Sequence, residues 1–276
     1  MRPFSFLLLV ASALPLGMPL GIATAAADQL DRIKDRGKIV VGIKNDYKPF
    51  GFLGPDGKLN GLEIELARFV GARIAGSPDK VELVPVVASN RIEFLNQGRI
   101  DVIIATLGRT EERAKVIDYS KDYYMLPEGA VATPRNSKIN GWADLKGAKL
   151  CGILGNSFNK VLSEKYGASM SLFQGTAEMF RAFEDNRCDA IGFDEPLLRQ
   201  KVADDSWKDK YVIRIPADSF IPLGAGVKKG EKRLLEAVNA GIRDAEASGL
   251  LRSAEKRFDM GETSFVAAAE AEAKAR

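Results

Sequence analysis

The stretch DVIIATLGRTEERAKVIDYS, residues 101–120, changes character twice within a few residues. Val102, Ile103 and Ile104 have the β-branched, unbroken apolar pattern of a buried strand. Small residues follow at once: Ala105, Thr106 and Gly108 make a bare turn. Thr110 then opens a charged segment with the composition of a helix start, and Arg113 falls in its first turn. A core strand, an unencumbered turn and an arginine returned toward that turn form an arrangement suited to holding something at the strand's carboxyl end.

The same alternation runs outward in both directions. Lys38 to Ile43, Val81 to Val87, Ala130 to Thr133, Lys149 to Ile153, Asp189 to Phe193, Tyr211 to Ile215 and Ala225 to Lys228 read as strands alongside Asp101 to Ile104. Between them Leu62, Leu66, Phe69 and Val70 recur at helical spacing. Phe180 and Phe183, then Leu197 and Leu198, mark later helices, and Leu234, Val238, Ile242 and Ala245 line one face of a long helix. The tail VAAAEAEAKAR reads as a frayed helical end. Alternating strands and helices indicate an α/β protein with mainly parallel sheets. Turn-prone patches at Pro127-Glu128-Gly129 and Pro222-Leu223-Gly224 divide the chain into three blocks. If both are crossings, 128–221 forms one lobe, and 28–127 with 222–276 forms the other. The cleft between two such lobes is a natural small-molecule site.

The chain opens Met-Arg-Pro, continues apolar from Phe4 to about Ile22 and exits through Ala23-Thr24-Ala25-Ala26-Ala27. A basic start, an apolar middle and a small-residue exit describe a cleavable export signal over residues 1–27. The competing reading, a membrane anchor, is weakened by Pro15, Gly17, Pro19 and Gly21. Without that segment Lys and Arg nearly balance Asp and Glu, and the balance excludes a dedicated nucleic-acid binder. The chain has no histidine, the commonest general base and metal ligand, so neither a cofactor nor a metal is expected. Cys151 and Cys188 are its only cysteines; in an exported chain they are expected to pair, with two buried free thiols as the alternative.

Gly61-Leu62-Glu63-Ile64-Glu65-Leu66, continuing to Ile74, resembles the signature of family 3 solute-binding proteins, the periplasmic receptors that bring polar amino acids to ABC importers. Gly37 to Gly42, Tyr47-Lys48-Pro49-Phe50-Gly51-Phe52 and Gly57 to Gly61 resemble the family's opening. Thr110 to Arg113, Ile117 to Ser120 and Tyr123-Tyr124 resemble its central block. Asp144 to Gly147, Gly155-Asn156-Ser157 and Cys188 through Asp194 resemble its second lobe. The ordered combination covers about residues 30 to 260. It implies the two-lobed type II periplasmic binding fold, a monomer whose ligand is an amino acid and whose partners are the permease subunits of an ABC transporter.

An amino acid carries a carboxylate and an ammonium, and both must be matched when they leave water. Arg113 has the planar donor fork for the carboxylate, as the family's equivalent arginine does, and the Thr106-Leu107-Gly108 turn lets main-chain N–H groups approach the same group. The resemblance places Asp194 against the ammonium; capping the helix at Glu195-Pro196 is its competing role. Ser157 has the same two readings, a carboxylate contact from the opposite lobe or a plain helix cap. Lys44 stands where binders of cationic amino acids carry an aspartate, and Arg91 resembles the arginine that acidic-amino-acid binders direct at a distal carboxylate. Thr106 fits that distal contact. Two cations facing one pocket favour a second ligand carboxylate, hence glutamate or aspartate. The alternative leaves Lys44 at the surface and pairs Arg91 with Glu93 or Glu65. Tyr47 and Phe52 are candidate pocket walls, with core packing equally open for Phe52. Gly108 departs from the Ser or Thr of many relatives, so a backbone or water contact is expected there. The resemblance also admits an enzyme of this fold, a cyclohexadienyl or arogenate dehydratase with Glu63 or Glu65 as proton donor, and a sensor acting through a separate receptor.

Overall fold

A computed structural model of the chain describes residues 28–275. The expected export signal lies outside the described residues. No helix among those described is long and apolar enough to cross a membrane.

The chain builds two lobes, each around a five-stranded sheet. In the first sheet β1 (Ile39–Ile43) lies between β5 (Val81–Pro85) and β6 (Val102–Ile103), all parallel; β13 (Ser219–Lys228) and β7 (Ile117–Glu128) complete it antiparallel. The second sheet repeats the plan. β9 (Lys149–Ile153) lies between β10 (Ser169–Phe173) and β11 (Ala190–Phe193) in parallel, and β8 (Ala130–Pro134) and β12 (Tyr211–Ile215) are antiparallel. A small antiparallel ribbon, β2 (Asp46–Tyr47), β3 (Gly51–Leu53) and β4 (Leu59–Asn60), hangs from the end of β1. The expected parallel character thus holds for three adjacent strands of each sheet, from one edge to the middle, and antiparallel pairs complete the other side.

Helices cover both sheets. The first lobe carries α1 (Gln29–Arg36), α2 (Leu62–Ala75), α3 (Arg91–Asn96) and the single turn α4 (Glu111–Ala114). The second carries α5 (Phe158–Glu164), α6 (Thr176–Glu184) and α7 (Glu195–Val202); α8 (Lys232–Ala247), α9 (Leu250–Arg257) and α10 (Ser264–Lys274) return to the first. The signature helix α2 buries Leu62, Ile64, Leu66, Ala67 and Val70, and Gly241 of α8 lies against Val70. Its entry requires glycine: Gly61 has φ +121°, and a Cβ there would lie 2.2 Å from the Phe50 carbonyl oxygen.

Three sequence expectations change. Pro127 and Glu128 end β7, with Gly129 just beyond it, and Pro222-Leu223-Gly224 lies inside β13; the two strands pair antiparallel from Ser219–Glu128 to Lys228–Ile117. Register shifts at Leu223/Gly224 and Gly224/Gly226 absorb the irregularity. The tail is not frayed: Thr263 caps α10, whose Val266 and Glu270 are buried. Phe52 does not line the cleft between the lobes and makes an edge-on contact with Phe258.

Cys151 of β9 and Cys188, just before β11, form a disulfide with a Cα–Cα separation of 5.6 Å. Both cysteines belong to the second lobe. Closing a loop of 37 residues stabilises that lobe by about 4 kcal/mol on the chain-entropy account. Urea unfolding of the Cys151→Ala/Cys188→Ala variant is expected to show a loss of that order, and the oxidised wild-type protein should lose a similar amount on adding reductant.

Candidate functional site

Each parallel strand ends at the cleft between the lobes, and the residues that follow those ends line one cavity. Lys44 follows β1, Thr106 and Gly108 follow β6, Arg91 opens the helix after β5, and Arg113 belongs to α4. From the other lobe come Asn156 and Ser157 after β9, Thr176 after β10 and Asp194 after β11; Tyr47 of the ribbon completes the wall. Apart from Phe52, every ligand-contact position expected from the sequence therefore borders the same space. This placement at strand carboxyl ends is what an open α/β sheet offers a ligand.

Asp194 is buried, and its carboxylate is held from both lobes. The Tyr47 hydroxyl donates to its Oδ2 across the cleft at 2.7 Å, and the Asn156 amide reaches both oxygens at 3.4 Å. Burial pushes its carboxyl above the usual range, and these donors, with the Arg91 and Arg113 charges, hold it down. Asp194 occupies the N-cap position of α7, but its side chain makes no capping bond, so the alternative role is not realised. Ser157 likewise makes no cap. Asn156 Oδ1 takes the Phe158 N–H instead, and the Ser157 hydroxyl donates to Glu128 at 3.3 Å.

Arg113 also spans the cleft. Its guanidinium donates to the Gly108 carbonyl at 2.7 Å and to the Gly155 carbonyl of the other lobe at 2.8 Å. Gly155 is needed for this approach: its φ is +87°, and a Cβ would meet the Ala88 and Ser89 backbone at 2.8–2.9 Å. Gly108 is a matter of space, since a Cβ there would fall 2.4 Å from Ile221 Cδ1. Its carbonyl also accepts the Tyr119 hydroxyl at 2.8 Å.

The turn itself is held differently from the sequence expectation. Thr106 adopts φ 49°, its N–H donates to Glu63 Oε1 at 2.7 Å, and the Gly108 N–H returns to the Thr106 carbonyl. Those two main-chain donors are therefore committed inside the protein. Arg91 is not paired with Glu93 or Glu65, which engage Gln97 and Arg257. It donates to the carbonyls of Ala105 and Thr106, the latter at 3.0 Å. A buried acid and a buried base thus clamp one strained turn from its N–H and C=O sides. Burial lowers the Arg91 guanidinium to about 10, with Arg113 adding repulsion. Lys44 is not at the surface: it is 3% exposed and pairs with Asp46 Oδ1 at 3.3 Å. Burial lowers its ammonium and Asp46 supports it.

Sequence reasoning missed Glu63 as a support, along with Asn156, Thr176 and Asp46. Asn156 and Glu63 lay inside family-like blocks, Glu63 only as part of the helix signature; Thr176 and Asp46 gave no local signal, because they bond each other across 130 residues. Glu63 has no exposure, its second partner is the Tyr123 hydroxyl, and burial raises its carboxyl to about 7. Glu128 is raised to the same value, again first by burial. An acid whose folded pKa exceeds its unfolded one binds its proton more tightly when folded, so its contribution to stability falls as pH rises. Melting temperature is expected to decline from about pH 4.5 to 7 on this account, and Glu63→Gln should remove the contribution of Glu63 while leaving those of the other raised acids, Glu128 and Asp194 among them. A Glu63→Gln profile parallel to wild type would refute the assignment.

Residues 39–261 match the family described as bacterial extracellular solute-binding proteins, family 3. A glutamine-binding protein of an ABC transporter from Bacillus subtilis is 33% identical over 225 residues, covering 80% of this chain and 81% of that one. An L-cystine-binding protein from Escherichia coli K12 is 28% identical over 253 residues, covering 90% and 92%. Among solved structures, a cysteine-binding protein from Campylobacter jejuni superposes with a TM-score of 0.78 at 29% identity, covering 84% of this chain and 93% of that chain. On the match over residues 39–261 and the two-lobed fold together, the chain belongs to the family 3 extracellular solute-binding proteins.

Proposed function

We propose that this protein is a periplasmic receptor that captures a polar amino acid, glutamate or aspartate in preference, and delivers it to the permease of an ABC importer. The observation that carries the reading is that Arg113 and Asp194, one from each lobe, border a single cavity. A zwitterion placed there has its carboxylate matched by the first and its ammonium by the second. Only the closed arrangement satisfies both, so binding favours closure. The protein works as a monomer, exported by the signal over residues 1–27 and handed its partner at the membrane. The lobes divide at 127/128 and 221/222, and the paired strands β7 and β13 carry the chain across.

The acidic preference rests on Lys44 and Arg91, which border the cavity in addition to Arg113. A distal carboxylate lowers the repulsion among the three cations. Glutamine is the second reading. Lys44 already has Asp46 as counter-charge, and a glutamine binder is among the similar proteins. Neither glutamate of the signature helix is placed as a proton donor for a dehydratase: Glu63 is buried behind the Thr106 turn, and Glu65 faces Arg257.

Thermal shift of ligand-stripped protein against each amino acid, prephenate and arogenate tests these readings. A cognate ligand at 100 times its dissociation constant should stabilise by about 2.7 kcal/mol. Release of phenylpyruvate or phenylalanine would make the protein an enzyme instead. Arg113→Ala is expected to abolish binding of every amino acid, with a loss of about 2–5 kcal/mol; retained affinity would overturn the carboxylate assignment.

Lys44→Met removes a charge and keeps much of the bulk, so calorimetry should show glutamate and aspartate weakened more than glutamine. Arg91→Ala is expected to weaken every ligand, because it releases the Thr106 turn, and acidic ligands most, because it also removes a cation.

A further inference from the structure

We propose that Asp46 is a specificity-determining residue that couples charge recognition at Lys44 to closure of the lobes, by capping helix α6 from across the cleft. This rests on the receptor reading above and deepens it. Asp46 belongs to the first lobe's ribbon, and one of its carboxylate oxygens, Oδ1, lies 3.3 Å from Lys44 Nζ. The other, Oδ2, accepts the Thr176 N–H at 3.1 Å, while the Thr176 hydroxyl donates back to the Asp46 carbonyl at 2.9 Å.

Thr176 is the first residue of α6, in the second lobe, and the residue at the cap position is Gly175. A helix start leaves main-chain N–H groups unsatisfied and carries partial positive charge. Glycine has no side chain to meet that need, and α6 has no capping side chain of its own. Asp46 supplies the missing acceptor from the opposite lobe. A Cβ at position 175 would lie 3.6 Å from Asp46 Oδ2, so the approach is close without crowding. The neighbouring contacts cross the same seam: Ser89 donates to Gln174 at 2.9 Å, and Tyr47, next to Asp46, donates to Asp194.

One carboxylate therefore serves two cations: the ammonium that borders the ligand cavity and the positive end of a helix that is within reach only when the lobes are together. Opening leaves Asp46 wholly to Lys44. Closure shares it with α6 and leaves Lys44 with less counter-charge, which favours a ligand that brings a carboxylate of its own.

Two substitutions separate these effects, because asparagine caps a helix about as well as aspartate but carries no charge. Asp46→Ala should speed release of an amino acid without a second carboxylate, such as glutamine, roughly fivefold, measured by stopped-flow fluorescence. Asp46→Asn should keep near-wild-type release of glutamine while raising the ratio of glutamate to glutamine affinity severalfold. Thr176→Val should speed release with the ratio unchanged. Unchanged release of glutamine in Asp46→Ala, or an unchanged or lower ratio in Asp46→Asn, overturns the proposal. If wild type binds an amino acid other than these two, release of that ligand from Asp46→Ala still decides the capping role, and only the acidic preference has failed. If wild type binds no amino acid, the receptor reading has failed, and small-angle scattering decides the cap: Asp46→Ala should be more extended than wild type, and equal dimensions overturn it.

Discussion

Asp194 is buried at the seam of two lobes, and a carboxylate in that position must be satisfied from both sides. Tyr47 reaches it from one lobe and Asn156 from the other. The surrounding architecture follows from that requirement. Three adjacent parallel strands in each sheet point their carboxyl ends at the seam, where short loops deliver polar groups without burying long stretches of unpaired backbone. Arg113 repeats the logic with opposite charge, bonding Gly108 on its own side and Gly155 on the far side.

Behind this front row lies a second tier whose task is to hold shape. The turn at Thr106 stands in a backbone region uncommon for a residue with a side chain, and it is fixed by Glu63 through its N–H and by Arg91 through its carbonyl. Both supports are fully enclosed side chains that carry charge in ordinary solution, and each lessens the desolvation penalty of the other. Arg91 thus has a scaffolding role in addition to facing the cavity.

Much of the scaffold was legible from residue type alone. The all-apolar run Ile39–Ile43 and the pattern Lys149–Ile153 are buried strands as read, and the helical spacing from Leu62 to Val70 is α2. Strand β7 escaped because Asp118, Lys121 and Asp122 interrupt its apolar pattern and Pro127 reads as a breaker; only pairing with β13 makes it a strand. Strand β10 has no buried residue, and Ser169 and Leu172 are exposed, so its signal as a core strand was faint. At the site, residues next to strand ends were found by position, whereas supports were not. Nothing near Asp46 announces Thr176, which lies 130 residues away, and nothing in Arg91 announces that its acceptors are main-chain carbonyls.

The two long strands that join the lobes run side by side, hydrogen-bonded over most of their length, with irregularities concentrated at Leu223 and Gly224. A tether of two parallel cords behaves unlike a single thread. It resists sliding and separation of the bodies it connects, because either would shear the ladder, while allowing the ribbon to flex and twist about the weak spot. The lobes are consequently confined to something near one arc of travel, and a group such as Tyr47 meets the same counterpart each time the arc is closed.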